Sequence, residues 1–130
     1  MTILLKKPST FHNRCNDLRR LFKIEIKSLF SIRVHQWVKG DPEQYQHMHP
    51  WPFLTIVLTG GYDDVGEGRP TDYVRGPTVR YRPMTWRHSV INVIPGTWTI
   101  VITGKIMRKW RFFIDNKEVD EKTWGLRKCD

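Results

Sequence analysis

The sequence predicts an all-β protein: a small single-domain β-barrel or jelly roll with a short N-terminal helix or arm. Three observations lead there. Short runs with a side-chain period of two recur along most of the chain, glycine and proline turns separate them, and no internal repeat breaks the series. At 130 residues the chain is long enough for one core and too short for two ordinary domains. A hydrophobic content of 39% with six tryptophans excludes broad disorder. The expected division is a basic arm or helix over residues 1–28, packed on a barrel formed by 29–130.

Taken in order, residues 1–10 read as an arm that ends in Pro8, Ser9 and Thr10, with Ser9 or Thr10 as a helix cap. Leu18, Leu21 and Phe22 are spaced to share one side of a short helix from Phe11 to about Arg20, with arginines opposite. The period then shifts to two. Phe30, Ile32, Val34 and Val38 alternate with Ser31, Arg33, His35 and Trp37, a half-buried strand whose apolar members are expected inside and whose His35, on the polar face, is expected at the surface or backing the site and not as a ligand. Gly40, Asp41 and Pro42 form a turn. Pro50 and Pro52 cannot donate ladder hydrogen bonds, so the chain bends around Trp51 before a buried strand from Leu54 to Thr59, which Gly60 and Gly61 close as a hairpin. Residues 63–77, polar and glycine-rich, read as a surface loop with a short strand at Tyr73 and Val74. Val79 and Tyr81 alternate with Arg80 and Arg82, and a strand follows from Arg87 to Ile94. Pro95 and Gly96 suit a type II turn into a strand from Thr97 to Thr103, with Trp98, Ile100 and Ile102 on one face. Trp110 to Ile114 is a further strand, residues 115–117 a turn, and Val119 to Trp124 a last strand or helical cap.

The chemistry concentrates at His47 and His49. Two residues apart on an extended backbone, they point the same way while Met48 points oppositely. Paired imidazoles facing one interior suit zinc, copper, iron or nickel, and not the oxygen cage that calcium or magnesium takes; the expected cofactor is a divalent transition metal, zinc, iron, nickel or manganese. A third ligand must come from elsewhere, and His88 is the candidate.

Gly40, His47, His49 and Gly60, followed by Gly76, Pro83, His88 and Asn92, resemble the two signature motifs of the cupin superfamily. The chain departs from that pattern where the first motif carries a glutamate, a position that falls on Phe53 or Leu54, and Thr85 replaces a glycine of the second. The layout from Val34 through His47–Trp51, Gly60–Tyr62, Gly96–Thr99 and Arg108–Phe112 is similar to small cupin-like proteins of bacteria and phages. The resemblance implies a β-barrel with His47, His49 and His88 as metal ligands, and a homodimer. It implies either a metal-dependent enzyme of oxygenase, isomerase or hydrolase type or a non-catalytic binding module. A three-histidine iron site of the thiol dioxygenase kind matches the same ligands.

The formal charge of +9 points to acidic partners and says nothing about fold. Without the glutamate the site keeps net positive charge, so a small anionic ligand fits, with Arg80, Arg82 or Arg87 to fork to it and Tyr81 as a further binding residue. A competing reading is nucleic-acid or acidic-protein binding through Arg19, Arg20, Lys23, Arg108 and Lys109, with Trp110 stacking on bases. Cys15 and Cys129 lack metal-site or disulfide-framework spacing and are expected as free thiols. The opening apolar run is too short for a signal peptide and no run is long enough for a membrane span, so a cytoplasmic location, in a bacterial cell or an infected host, is expected.

Overall fold

The computed structural model describes residues 3–6, 9–12, 17–26, 30–40 and 45–125, those before Phe30 by their strand pairing alone. Among these residues the elements run β1 (Ile3–Lys6), β2 (Ser9–His12), β3 (Asp17–Ile26), β4 (Phe30–Lys39), β5 (Tyr45–Met48), β6 (Phe53–Thr59) and β7 (Gly61–Val65). They continue with β8 (Asp72–Arg75), β9 (Thr78–Arg82), β10 (Arg87–Ile91), β11 (Thr97–Thr103), β12 (Arg111–Ile114), β13 (Lys117–Val119) and α1 (Glu121–Gly125). The strands form two antiparallel sheets: one in the order β1-β3-β4-β11-β6-β9 with β2 also on β3, the other in the order β13-β12-β5-β10-β7-β8. Val57 of the first sheet packs with Tyr62, Val74 and Val90 of the second, flanked by Trp37 and Val93, and this apolar cluster closes one part of the sandwich. The architecture is the predicted all-β one.

Local expectations held where turn chemistry decides. Gly60 has φ +75°, and a Cβ there would lie 2.3 Å from the Thr97 hydroxyl, so only glycine fits the hairpin. Gly96 has φ +86° and the Thr97 amide donates to the Ile94 carbonyl at 3.1 Å, closing the expected turn. Asp115 and Asn116 both have positive φ between β12 and β13, as a two-residue hairpin of type I′ needs.

Three expectations need correction. The helix from Phe11 to Arg20 is not formed: residues 9–12 are β2 and 17–26 belong to β3. The helical spacing of Leu18, Leu21 and Phe22 comes from a β-bulge, because Arg20 pairs with His35 and Phe22 with Val34, which leaves Leu21 as an extra residue. Residues 63–65 are not a surface loop but the buried end of β7. Their carboxylates are tolerated inside because each is neutralised: Asp63 by Arg75 at 3.0 Å and Asp64 by Arg69 at 2.7 Å.

The third correction concerns which face of the first sheet is inside. On β4 the buried residues are Ser31 and His35, while Phe30 and Val38 are exposed, so His35 is an interior residue at 6% exposure. Across β4, β11 and β6 the same holds: Ser31, Thr97, Thr99, Thr103 and Thr55 are buried, and Ile100, Ile102, Leu54 and Ile56 lie on the other face. Ser31 and Thr103 hydroxyls bond at 2.5 Å, and the Thr99 hydroxyl accepts from the Trp37 indole at 3.1 Å. Hydroxyls buried in pairs satisfy one another. The inner face of this sheet therefore carries these polar groups beside Phe53 and Val57, and the aliphatic side of the alternation in β4 and β11 looks outward. Cys15 and Cys129 lie outside the described residues.

Candidate metal centre

The second sheet builds the site. β5 and β10 are antiparallel neighbours in which His47 and His88 stand directly opposite, so their side chains share a face. His49 follows one residue past the end of β5, on the side of His47, and Pro50 ends the strand there. The His49 Nε2 lies 3.1 Å from the Nε2 of His47 and 3.2 Å from that of His88. Among the described residues these three form the one group of potential metal donors, all within 4.8 Å of each other. Sequence separation of 39 residues between His49 and His88 is bridged by strand pairing alone.

The nitrogens fit a metal. Tetrahedral zinc with ligands at about 2.0–2.1 Å holds its nitrogens about 3.3–3.4 Å apart, close to the two distances found here. The tautomers fit as well. His88 Nδ1 donates to Asp64 Oδ2 at 2.8 Å, which leaves its Nε2 lone pair facing the other rings. Burial first, then charge repulsion between neighbouring imidazoles and from Arg33, pushes His49 well below the ordinary imidazole range, so its ring is neutral and able to ligate. Its Nδ1 is buried without a hydrogen-bond partner among the described residues.

Asp64 anchors the arrangement from behind. On β7 and 1% exposed, it accepts from His88, from Arg69 at 2.7 Å and from the Trp86 indole at 3.2 Å, with Arg82 at 3.4 Å. Burial alone raises its carboxyl, but the contacts with His88, Arg69 and Arg82 outweigh it and bring the group down to about 2. The Arg69 and Arg82 guanidiniums both lie over the Trp86 ring, at 3.8 and 4.2 Å. The sequence contains this carboxylate in what reads as a polar loop; the alternation of Tyr62 and Asp64 after the glycine pair is the signal that marks it as a strand residue.

Phe53, one of the two positions on which the motif's acid falls, turns into the site: its ring centroid is 4.5 Å from His49 and 5.9 Å from His88. Trp51 stands 6.0 Å from His49 and Trp110 4.6 Å, and the two indoles meet edge to face at 5.4 Å. Arg33, from the inner face of β4, lies over Trp51 at 4.8 Å and donates to the Ser31 hydroxyl at 3.2 Å. The imidazoles thus sit among aromatic rings, with one guanidinium close by.

The other predicted binding residues are placed differently. Arg80, half-buried, binds Asp72 at 2.8 Å, and the buried Arg82 is shared between Asp72 at 2.6 Å and Asp64. Both therefore serve carboxylates of the protein. Tyr81 is 63% exposed on the outer face of its sheet, away from the histidines. Arg87 donates to Gln46 at 3.0 Å and pairs with Glu67, facing away from His88. Arg108 donates to the Met84 carbonyl and Lys109 is exposed, both on the segment that leads to Trp110. Arg19, Arg20 and Lys23 are strand residues of β3, described by their backbone pairing alone. No helix among the described residues is long and apolar enough to cross a membrane.

The two antiparallel sheets have a cupin-like fold, and comparison with solved structures bears out that fold. A Streptomyces protein, PAC13, solved with uridine, superposes with a TM-score of 0.63 over 95% of each chain at 9% identity. KdgF from Halomonas gives 0.59 at 12% identity, over 80% of this chain and 90% of that one. A mannose-6-phosphate isomerase-like protein from Ralstonia eutropha gives 0.56 at 19% identity, over 62% and 78%. No family model and no curated protein matches the sequence.

Proposed function

We propose that His47, His49 and His88 hold a divalent transition metal and that the barrel binds or acts on a small anionic ligand beside it. The observation that carries this is the convergence of three Nε2 atoms at 3.1 and 3.2 Å, with His88 fixed in the ligating tautomer by Asp64. The three imidazole nitrogens would hold the ion, which would supply Lewis acidity to a bound water or ligand group. The residues of the chain do the remaining work. Asp64 keeps the His88 proton on Nδ1, Phe53 packs its ring against His49, and the hydroxyls and Arg33 on the opposite sheet give a polar ligand a lined interior.

Metal content of the untagged protein, measured by mass spectrometry of the purified chain, tests the assignment. One equivalent of metal in the natural sequence, lost in both His47→Ala and His88→Ala, is expected. Stoichiometric metal that survives both changes refutes it. The Streptomyces neighbour was solved with uridine, which makes uridine a first compound to assay for binding and turnover. A compound that binds without chemical change, with metal present, favours a binding module over an enzyme.

A further inference from the structure

Trp110 is the exposed ring beside the histidines. His88 is closed off at 4% exposure, whereas His47 and His49 are half-buried, and the ring that stands beside both of them is Trp110, 41% exposed at 4.6 Å from His49 and 6.0 Å from His47. A large indole left open next to potential metal ligands is a contact surface awaiting a flat partner. It is also held in place. Phe112 backs it in parallel, 3° from coplanar at 6.1 Å, and Trp51 meets it edge to face. The segment that delivers it is pinned along its length: the Gly104 amide donates to Pro52 at 2.8 Å, the Met107 amide to Pro50 at 2.9 Å, and Arg108 to the Met84 carbonyl. A ring fixed in this way stacks on a ligand with little ordering cost.

Charge decides what the flat partner carries. Arg33 lies over Trp51 on the interior side of the same aromatic wall, and Lys105 and Lys109 are exposed on the pinned segment before Trp110. A cationic ligand, which an aromatic box would otherwise suit, is disfavoured by these groups.

We infer that the ligand of this site is a small molecule with a planar unsaturated ring, stacked on Trp110, and an anionic group directed inward toward the histidines. Trp110 is then a specificity-determining residue for the proposed metal site, and the inference rests on that reading. The binding of three simple probes to the metal-loaded full chain, measured by titration calorimetry, tests it: benzoate, cyclohexanecarboxylate and benzylamine. The first two share a carboxylate and differ in the ring, and the third keeps the ring and reverses the charge. Benzoate is expected to bind about 3- to 10-fold tighter than cyclohexanecarboxylate, as aromatic pairing provides, and tighter than benzylamine. Trp110→Ala should erase the ring preference and Trp110→Phe should keep most of it, with bound metal unchanged in both. An equal preference in Trp110→Ala, no preference in the natural protein, tighter binding of benzylamine, or failure of benzoate to bind overturns the inference. So does metal-independent binding of a single-stranded oligothymidylate through Trp110, which would assign the ring to nucleic acid. Metal content measured on the same samples separates the two proposals: ring preference without metal fails the metal site alone, and full metal without ring preference fails this inference alone.

Discussion

Replacing Asp64 by asparagine probes the link between the ion-paired interior and the histidine cluster. The side chain keeps its shape but loses its charge, while Arg69, Arg82 and His88 still converge on it. The shift of the Asp64 carboxyl from 3.8 to about 2 corresponds to about 2 kcal/mol of preferential stabilisation of its ionised form in the folded state. Leaving the buried guanidinium of Arg82 with Asp72 alone adds to this, and removal of one partner from a buried pair costs about 3–5 kcal/mol where no second acceptor exists. A loss of about 2–4 kcal/mol is expected for Asp64→Asn, which for a chain of this size lowers the melting temperature by roughly 10 °C. The pH dependence follows from the direction of the shift. A carboxyl whose folded value is depressed stabilises fully above its unfolded value of 3.8, and the contribution is lost as pH falls toward 2. Melting curves from neutral pH down into this range should show the two proteins converging in acid. Asp64 also orients His88, so affinity for zinc should fall by about 10- to 100-fold. Melting temperature and zinc affinity both unchanged in Asp64→Asn would refute the reasoning.

Other substitutions test separate parts of the structure. Phe53→Glu places a carboxylate beside His49; the metal-free protein should melt lower, and the rise in melting temperature on adding zinc should exceed that of the natural chain. Thr99→Val removes the acceptor of the Trp37 indole inside the barrel and should cost about 1–3 kcal/mol in chemical denaturation. Leu58→Lys on the outward face should stay within about 0.5 kcal/mol in the same assay, the opposite of what residue polarity alone suggests. Gly60→Ala combines positive φ with a contact against Thr97 and is expected to destabilise by about 2 kcal/mol or more, read from the denaturation midpoint.

Much of this protein is legible in its amino-acid order alone. The turns at Gly60, Gly96 and Asp115–Asn116 depend on local backbone sterics, and local sterics are written residue by residue. The pairing of His47 with His49 follows from the period of an extended chain. His88 is reached through motif resemblance, and strand pairing between β5 and β10 brings it opposite His47. What the alternation of Phe30–Trp37 does not contain is which of its two faces points inward, because a period of two marks two faces without naming the solvent side. In this barrel the inner face carries hydroxyls and His35, a choice made by the facing sheet and its polar side chains. The Leu21 bulge is likewise set by pairing with β4, and without that partner its neighbours have the spacing of a helix. Asp64, Phe53 and Trp110 acquire their places at the histidines only through contacts between residues far apart in the chain. Side-chain chemistry and backbone sterics are local properties that the sequence states outright, whereas burial and charge pairing belong to the assembled sheets.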